Sequence, residues 1–265
     1  MKMIGIALAI ATMTLSGAAT AWIPNGTGGA VEFSGTLTPK TAGNPWEVQV
    51  GSNINSLDGS LALDEKIVNI TLNRAVPLLG IRVSDTSKTF TGTSGIAPQI
   101  DYNGAVSIDD FNGGETTLSL NVVKADDAGV NLGKLNATFS AAGVSSSLDN
   151  RASSAKNGVL FASAAGHAFY GGVGKTKSAV PATATAGYSL VSSISGEYVA
   201  QYTDTSSSVE NIEPQSLTFN HPQTTYSAYY GAGLRNGSKV TITLINPAKE
   251  DIAWKATFPI VVSYQ

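Results

Sequence analysis

Lys66-Ile67-Val68-Asn69-Ile70-Thr71-Leu72-Asn73 alternates apolar and polar side chains, which places Val68, Ile70 and Leu72 on one face of an extended chain. A period of two is that of a half-buried β-strand, and it recurs at Leu118, Leu120 and Val122, at Val240, Ile242 and Leu244, and at Phe258, Ile260, Val262 and Tyr264. The dipeptides Asn103-Gly104, Asn112-Gly113 and Asn236-Gly237 separate such runs with residues that tolerate positive φ. Sustained helical periodicity is nearly missing. Many short strands with recurrent turn signals predict an all-β sandwich. The exception is residues 152–172, dominated at first by Ala, Ser and Gly, where one short helix is expected. Residues 180–187 read as a surface loop, with Pro181 opposing a helix. Residues 143–187 together read as an insertion into the sandwich, and no internal repeat of about 20–50 residues is evident.

Composition narrows the function classes. Of 265 residues only 13% are charged, the net charge is −3, and no basic cluster offers the stripe that phosphate backbones need, so nucleic acid is not expected as a partner. Met1-Lys2-Met3, the apolar run 4–15 and the small-x-small Ala19-Thr20-Ala21 form a signal-peptide pattern over residues 1–21, too short in its apolar part to span a bilayer. The chain is therefore expected to be exported. It has no cysteine, so a packed core and not disulfides must hold it together. Its 28 glycines and 42% hydrophobic residues suit short strands joined by tight turns.

Chemistry is scarce. The two histidines, His167 and His221, lie in no nucleophile elbow, HExxH helix or phosphate loop, so the chain is not expected to be an enzyme. Asp109-Asp110 and Asp126-Asp127 lack the Asp-x-Asp-x-Asp-Gly spacing of a calcium loop and read as turn formers. No metal site and no cofactor is expected.

The two ends carry more. Val31, Phe33, Gly35 and Leu37 fall on one face of an extended segment of roughly 20 Å, preceded by the polar, turn-rich leader 22–29. Trp254, Ala256, Phe258, Ile260, Val262 and Tyr264 alternate up to the penultimate position. An apolar edge strand invites pairing with another chain, and a strand lent by a neighbour satisfies its backbone groups while filling the core. From periodicity alone, a first strand pairing within its own chain is the simpler reading of residues 29–38. A monomeric secreted hydrolase or lectin is also compatible with that reading, and such a protein would be stable without a chaperone.

The ends and several landmarks resemble the K88-type fimbrial subunits of chaperone–usher fimbriae, a family that includes a major subunit acting as adhesin and minor relatives. The landmarks are Ala21-Trp22, Gly29-Ala30-Val31-Glu32-Phe33-Ser34-Gly35-Thr36-Leu37, Trp46-Glu47-Val48, Gly95-Ile96-Ala97-Pro98-Gln99-Ile100, Ala168-Phe169-Tyr170-Gly171-Gly172 and the final stretch 254–264, with its aromatic penultimate residue. The resemblance implies an incomplete immunoglobulin-like sandwich lacking its last strand and containing an inserted segment with a short helix. Residues 22–38 would be an N-terminal donor extension and residues 39–265 the pilin domain. Donor-strand complementation would use Val31, Phe33, Gly35 and Leu37, and the acceptor edge would be Trp254, Phe258, Ile260, Val262 and Tyr264. The implied partners are a periplasmic chaperone, an outer-membrane usher and neighbouring subunits, and the implied location is the cell surface, in fimbriae that support cell adhesion. In that family the inserted segment is associated with host glycans, which here makes Phe161, His167, Phe169 and Tyr170 the candidate contacts.

Overall fold

Period-two alternation becomes strands at 67–71, 115–124 and 239–244, and at 254–264 two strands interrupted at 257–260. In a computed structural model, which describes residues 43–265 apart from 56, 63, 85–87, 153 and 206–211, the strands are β1 (Trp46–Val50), β2 (Ile67–Thr71), β3 (Val76–Val83), β4 (Phe90–Thr91), β5 (Pro98–Asp101), β6 (Glu115–Lys124), β7 (Asn131–Asp149), β8 (Ser154–Leu160), β9 (Thr224–Leu234), β10 (Lys239–Leu244), β11 (Trp254–Ala256) and β12 (Val261–Tyr264), with one helix, α1 (Ala184–Ile194). All lie in one unit spanning residues 42–265. The expected faces are present: Val240 and Ile242 of β10 and Leu118 and Val122 of β6 are buried. Two tight turns follow from residues able to take positive φ. Asn103 and Gly104 (φ 49° and 76°) close one, and Gly113 and Gly114 (φ 58° and 91°) close the other, one residue later than the Asn112-Gly113 dipeptide suggested.

The 19-residue β7 organises the sandwich. Its first half pairs with β6 on one side and β10 on the other, and its second half pairs with β8 and β9. Ser140 pairs with both Glu115 and Gly233, so β9 and β10 follow one another along the same side of β7. β3 and β2 follow β9 and β10 in the same way, and β1 is the strand beyond β3. Strands β5 and β12 form a separate two-stranded antiparallel sheet. The result is the all-β, sandwich-like fold expected, with open sheets.

Aromatic rings fill the interior. Trp46, Phe90, Phe169, Phe219, Tyr226 and Tyr230 form a chain of contacts with ring centroids 5.0 to 6.2 Å apart. A second group joins Tyr102, Phe111, Phe139 and Phe258. The hydroxyls of Tyr102 and Tyr230 meet at 2.7 Å, and Tyr230 donates to Gly172 O at 2.9 Å. The half-sheet β3–β9–β7–β8 is covered on its other face by α1 and a short 3-10 turn, Gly196–Val199. Glycines make that close approach feasible: a Cβ on Gly80 would stand 2.2 Å from the Tyr198 ring, and one on Gly231 2.3 Å from Val191.

The helix corrects two expectations. The described residues of 152–172 contain no helix: 154–160 are β8, paired with β7, and turns follow. The helix instead begins at Ala184, inside the stretch read as a surface loop. Thr183 caps it by accepting the Ala186 N–H at 3.1 Å, and Pro181 precedes the cap, where a missing N–H costs nothing. Its buried positions are Ala184, Gly187, Leu190, Val191 and Ile194. Ala and Gly at the first two weaken the apolar stripe in sequence while suiting a tight seat on Val144 and Val159.

Candidate functional site

The C-terminal stretch 254–264 is held on one edge. β11 pairs with β6 and β12 with β5, and the last residue exchanges backbone bonds with Ala97 at 2.9 and 3.1 Å. Pro259, which has no N–H to give a ladder, lies in the break between the two strands. The Ala97–Gln265 exchange fixes the alternation, since hydrogen-bonded and non-bonded pairs alternate along an antiparallel ladder. The N–H groups of Val262 and Tyr264 therefore point away from β5, to the edge where no strand pairs among the described residues. In the same way the bond from Ala125 N to Ala253 O turns the N–H groups of Trp254 and Ala256 away from β6.

Side chains show the same incompleteness. Trp254, Ala256, Phe258, Ile260, Val262 and Tyr264 pack against the core and yet all remain half-buried, whereas Tyr226, Tyr229 and Tyr230 of the central β9 are buried. Phe258 stacks on Tyr102, with centroids 5.1 Å apart, and lies edge-on to Phe139 at 6.1 Å. The inner face of this stretch thus belongs to the core but, among the described residues, lacks cover on one side.

A second strand edge without a partner among the described residues starts from the same corner. Trp46 of β1 donates its indole N–H to Ile96 O at 2.6 Å, one residue from the Ala97 that holds Gln265. On the face of β1 that carries Trp46, Val48 and Val50 are 40% and 59% exposed. The opposite face is engaged: Glu47 pairs with Arg82 at 2.5 Å, and Gln49 reaches Glu197 at 3.3 Å. Val48 and Val50 give a clue that sequence reading missed, because the alternation of 46–50 shows which residues share a face but not that the face is left exposed.

The four candidate glycan contacts do not form one site. Phe169 is a correction: it is 0% exposed, stacked on Tyr230 and edge-on to Trp46, so its ring has no face to offer a sugar. It sits at φ 62°, a left-handed conformation that is costly for an aromatic residue and turns the chain inward here. Phe161, His167 and Tyr170 are half-buried. The turn carrying His167 is clamped to β5 by Gln99, which donates to His167 O at 3.0 Å and accepts from Gly166 N at 2.9 Å. Of the four, only Tyr170 lines a hollow of about 400 Å³, together with Ile100, Asp101, Lys175, Val261 and Ser263. Lys175 pairs with Asp109 at 2.5 Å, and that carboxylate raises its pKa. Asp101 and Lys175 were not singled out by sequence reading, since an isolated Asp or Lys carries no pattern. The donor residues Val31, Phe33, Gly35 and Leu37 lie outside the described residues. No group of three or more His, Asp or Glu that could hold a metal occurs among the described residues.

The Fimbrial_K88 family model, described as fimbrial, major and minor subunit, matches residues 1–265. The chain is similar to three Escherichia coli proteins, each aligned over 100% of both chains: K88 fimbrial protein AB at 27% identity, AC at 25% and AD at 26%.

Proposed function

Because this chain belongs to the K88 family of fimbrial major and minor subunits, we propose that it is a structural subunit that polymerises by donor-strand complementation. In this reading the edge of residues 254–264 accepts a strand from a neighbour, and the chain lends its own residues 31–37 to the next copy. The observation that carries the proposal is the half-covered inner face from Trp254 to Tyr264 beside backbone N–H groups that point to an open edge. Burying Val31, Phe33 and Leu37 there would stabilise by about 1.5–3 kcal/mol for each side chain before ordering costs, and a shared ladder adds backbone bonds. Gly35, on the same face, suits a shallow point in the cleft.

An open apolar edge is an aggregation hazard during export. In this reading a periplasmic chaperone covers it until an outer-membrane usher delivers the subunit, and the fimbria at the cell surface is the destination. The adhesin alternative, with glycans bound by residues 157–172, loses its central ring to the core at Phe169, so the structural role is the reading supported best.

Deleting residues 22–37 tests it. The shortened chain should accumulate as monomers bound to the chaperone and form no fibres; fibres from the deleted chain would refute the proposal.

A further inference from the structure

The hollow beside Tyr170 opens on the outer face of β5 and β12, against the strand that would accept the donor. Every pairing between the named strands is antiparallel. A donor strand continuing that order beside β12 has its N-terminal end next to Gln265, at the mouth of the hollow. Nine residues precede Val31 in a chain cleaved after Ala21, enough to span roughly 30 Å when extended.

Resting on the donor-strand reading, we propose that this hollow receives the leader of the neighbouring copy, with Trp22 and Ile23 seated on its apolar floor. The chemistry on the two sides matches. The apolar lining is Val106, the half-buried Ile108 and Tyr170, and the exposed Val261. Trp22 and Ile23 are the leader's large apolar side chains, and no charged side chain occurs from Trp22 to Val31. The leader's charge is then its α-ammonium, and the hollow's rim bears the exposed carboxylate of Asp101, while its lysine is already paired with Asp109. The volume of about 400 Å³ is in the range of sites that enclose a ligand of this size. The leader would thus latch the joint from outside the cleft while residues 31–37 fill it.

The absence of cysteine makes the test clean. Full-length chains carrying Ile23→Cys with Ser263→Cys, or Asn25→Cys with Ser263→Cys, would be assembled into fibres by their own export system and mildly oxidised. Covalent multimers that survive boiling in SDS and collapse on reduction are expected from at least one pair. Fibres that assemble normally with neither pair cross-linked would overturn the latch and leave the donor-strand reading standing. Failure of the cysteine-free parent to form fibres would sink both. Fibres without cross-links that bind a glycan lost in Tyr170→Ala would assign the hollow to a sugar and likewise overturn the latch.

Discussion

At the scale of single residues, the core depends on polar atoms placed where water is absent. Tyr230 donates to Gly172 O and so receives the Tyr102 hydroxyl as a donor. Tyr102→Phe removes one bond and leaves no carbonyl unpaired, so it should cost about 0.5–1.5 kcal/mol. Tyr230→Phe strands both the Tyr102 hydroxyl and the Gly172 carbonyl, and should cost more, about 1–3 kcal/mol; urea unfolding of the two variants would check the order. Burial raises the pKa of the Tyr102 and Tyr230 phenols well above 10 and pushes Tyr198 up to about 12. A folded-state pKa above the unfolded one contributes stability that is fully present below the unfolded value, near 10, and is lost as pH rises through the folded value. Stability governed by these phenols should therefore be flat from about pH 6 to 9 and fall above about pH 10, a limb that Tyr102→Phe should make shallower. None of this was legible in the sequence. Phe169 illustrates why: nothing in Ala168-Phe169-Tyr170-Gly171-Gly172 marks which aromatic turns inward, and only the packing of Trp46, Phe219 and Tyr230 around Phe169 shows that it does.

At the scale of elements, strands were legible and the helix was not. β2, β6 and β10 each announce a face because their inward residues are large and alternate. α1 seats its first turns on Ala184 and Gly187, residues that no hydrophobic pattern registers, and its cap lies just after a proline read as a breaker. Thr183→Ala should destabilise by about 0.5–2 kcal/mol through loss of the bond to Ala186 N–H. The same loss should appear in thermal unfolding of the monomer without any change of strand content in circular dichroism. The 19-residue run of β7 was also hidden, since Ser145, Ser146 and Ser147 lack apolar alternation. They are held in the strand by tertiary partners: the Ser146 hydroxyl bonds Thr205 at 2.7 Å, and Asn157 on the neighbouring β8 reaches Asp204 at 3.0 Å.

At the scale of the whole molecule, the C-terminal edge was the part of the candidate site that sequence could reach, because residues 254–264 alternate without interruption. What sequence could not supply was the far edge. Residues 98–101 carry too little pattern to declare themselves a partner of β12, and nothing in the sequence shows which amides they satisfy. The structure separates them: the N–H of Gln265 bonds Ala97 O just before β5, while those of Val262 and Tyr264 face outward. Hydrogen exchange resolved to single amides of residues 254–265 therefore bears most directly on subunit assembly. In assembled fibres the Val262 and Tyr264 amides should exchange as slowly as the Gln265 amide bonded to Ala97 O, and in chaperone-free monomers lacking residues 22–37 they should exchange fast while Gln265 stays protected; equally fast exchange of Val262 and Tyr264 in fibres and monomers would contradict the proposal that a neighbour's strand closes this edge.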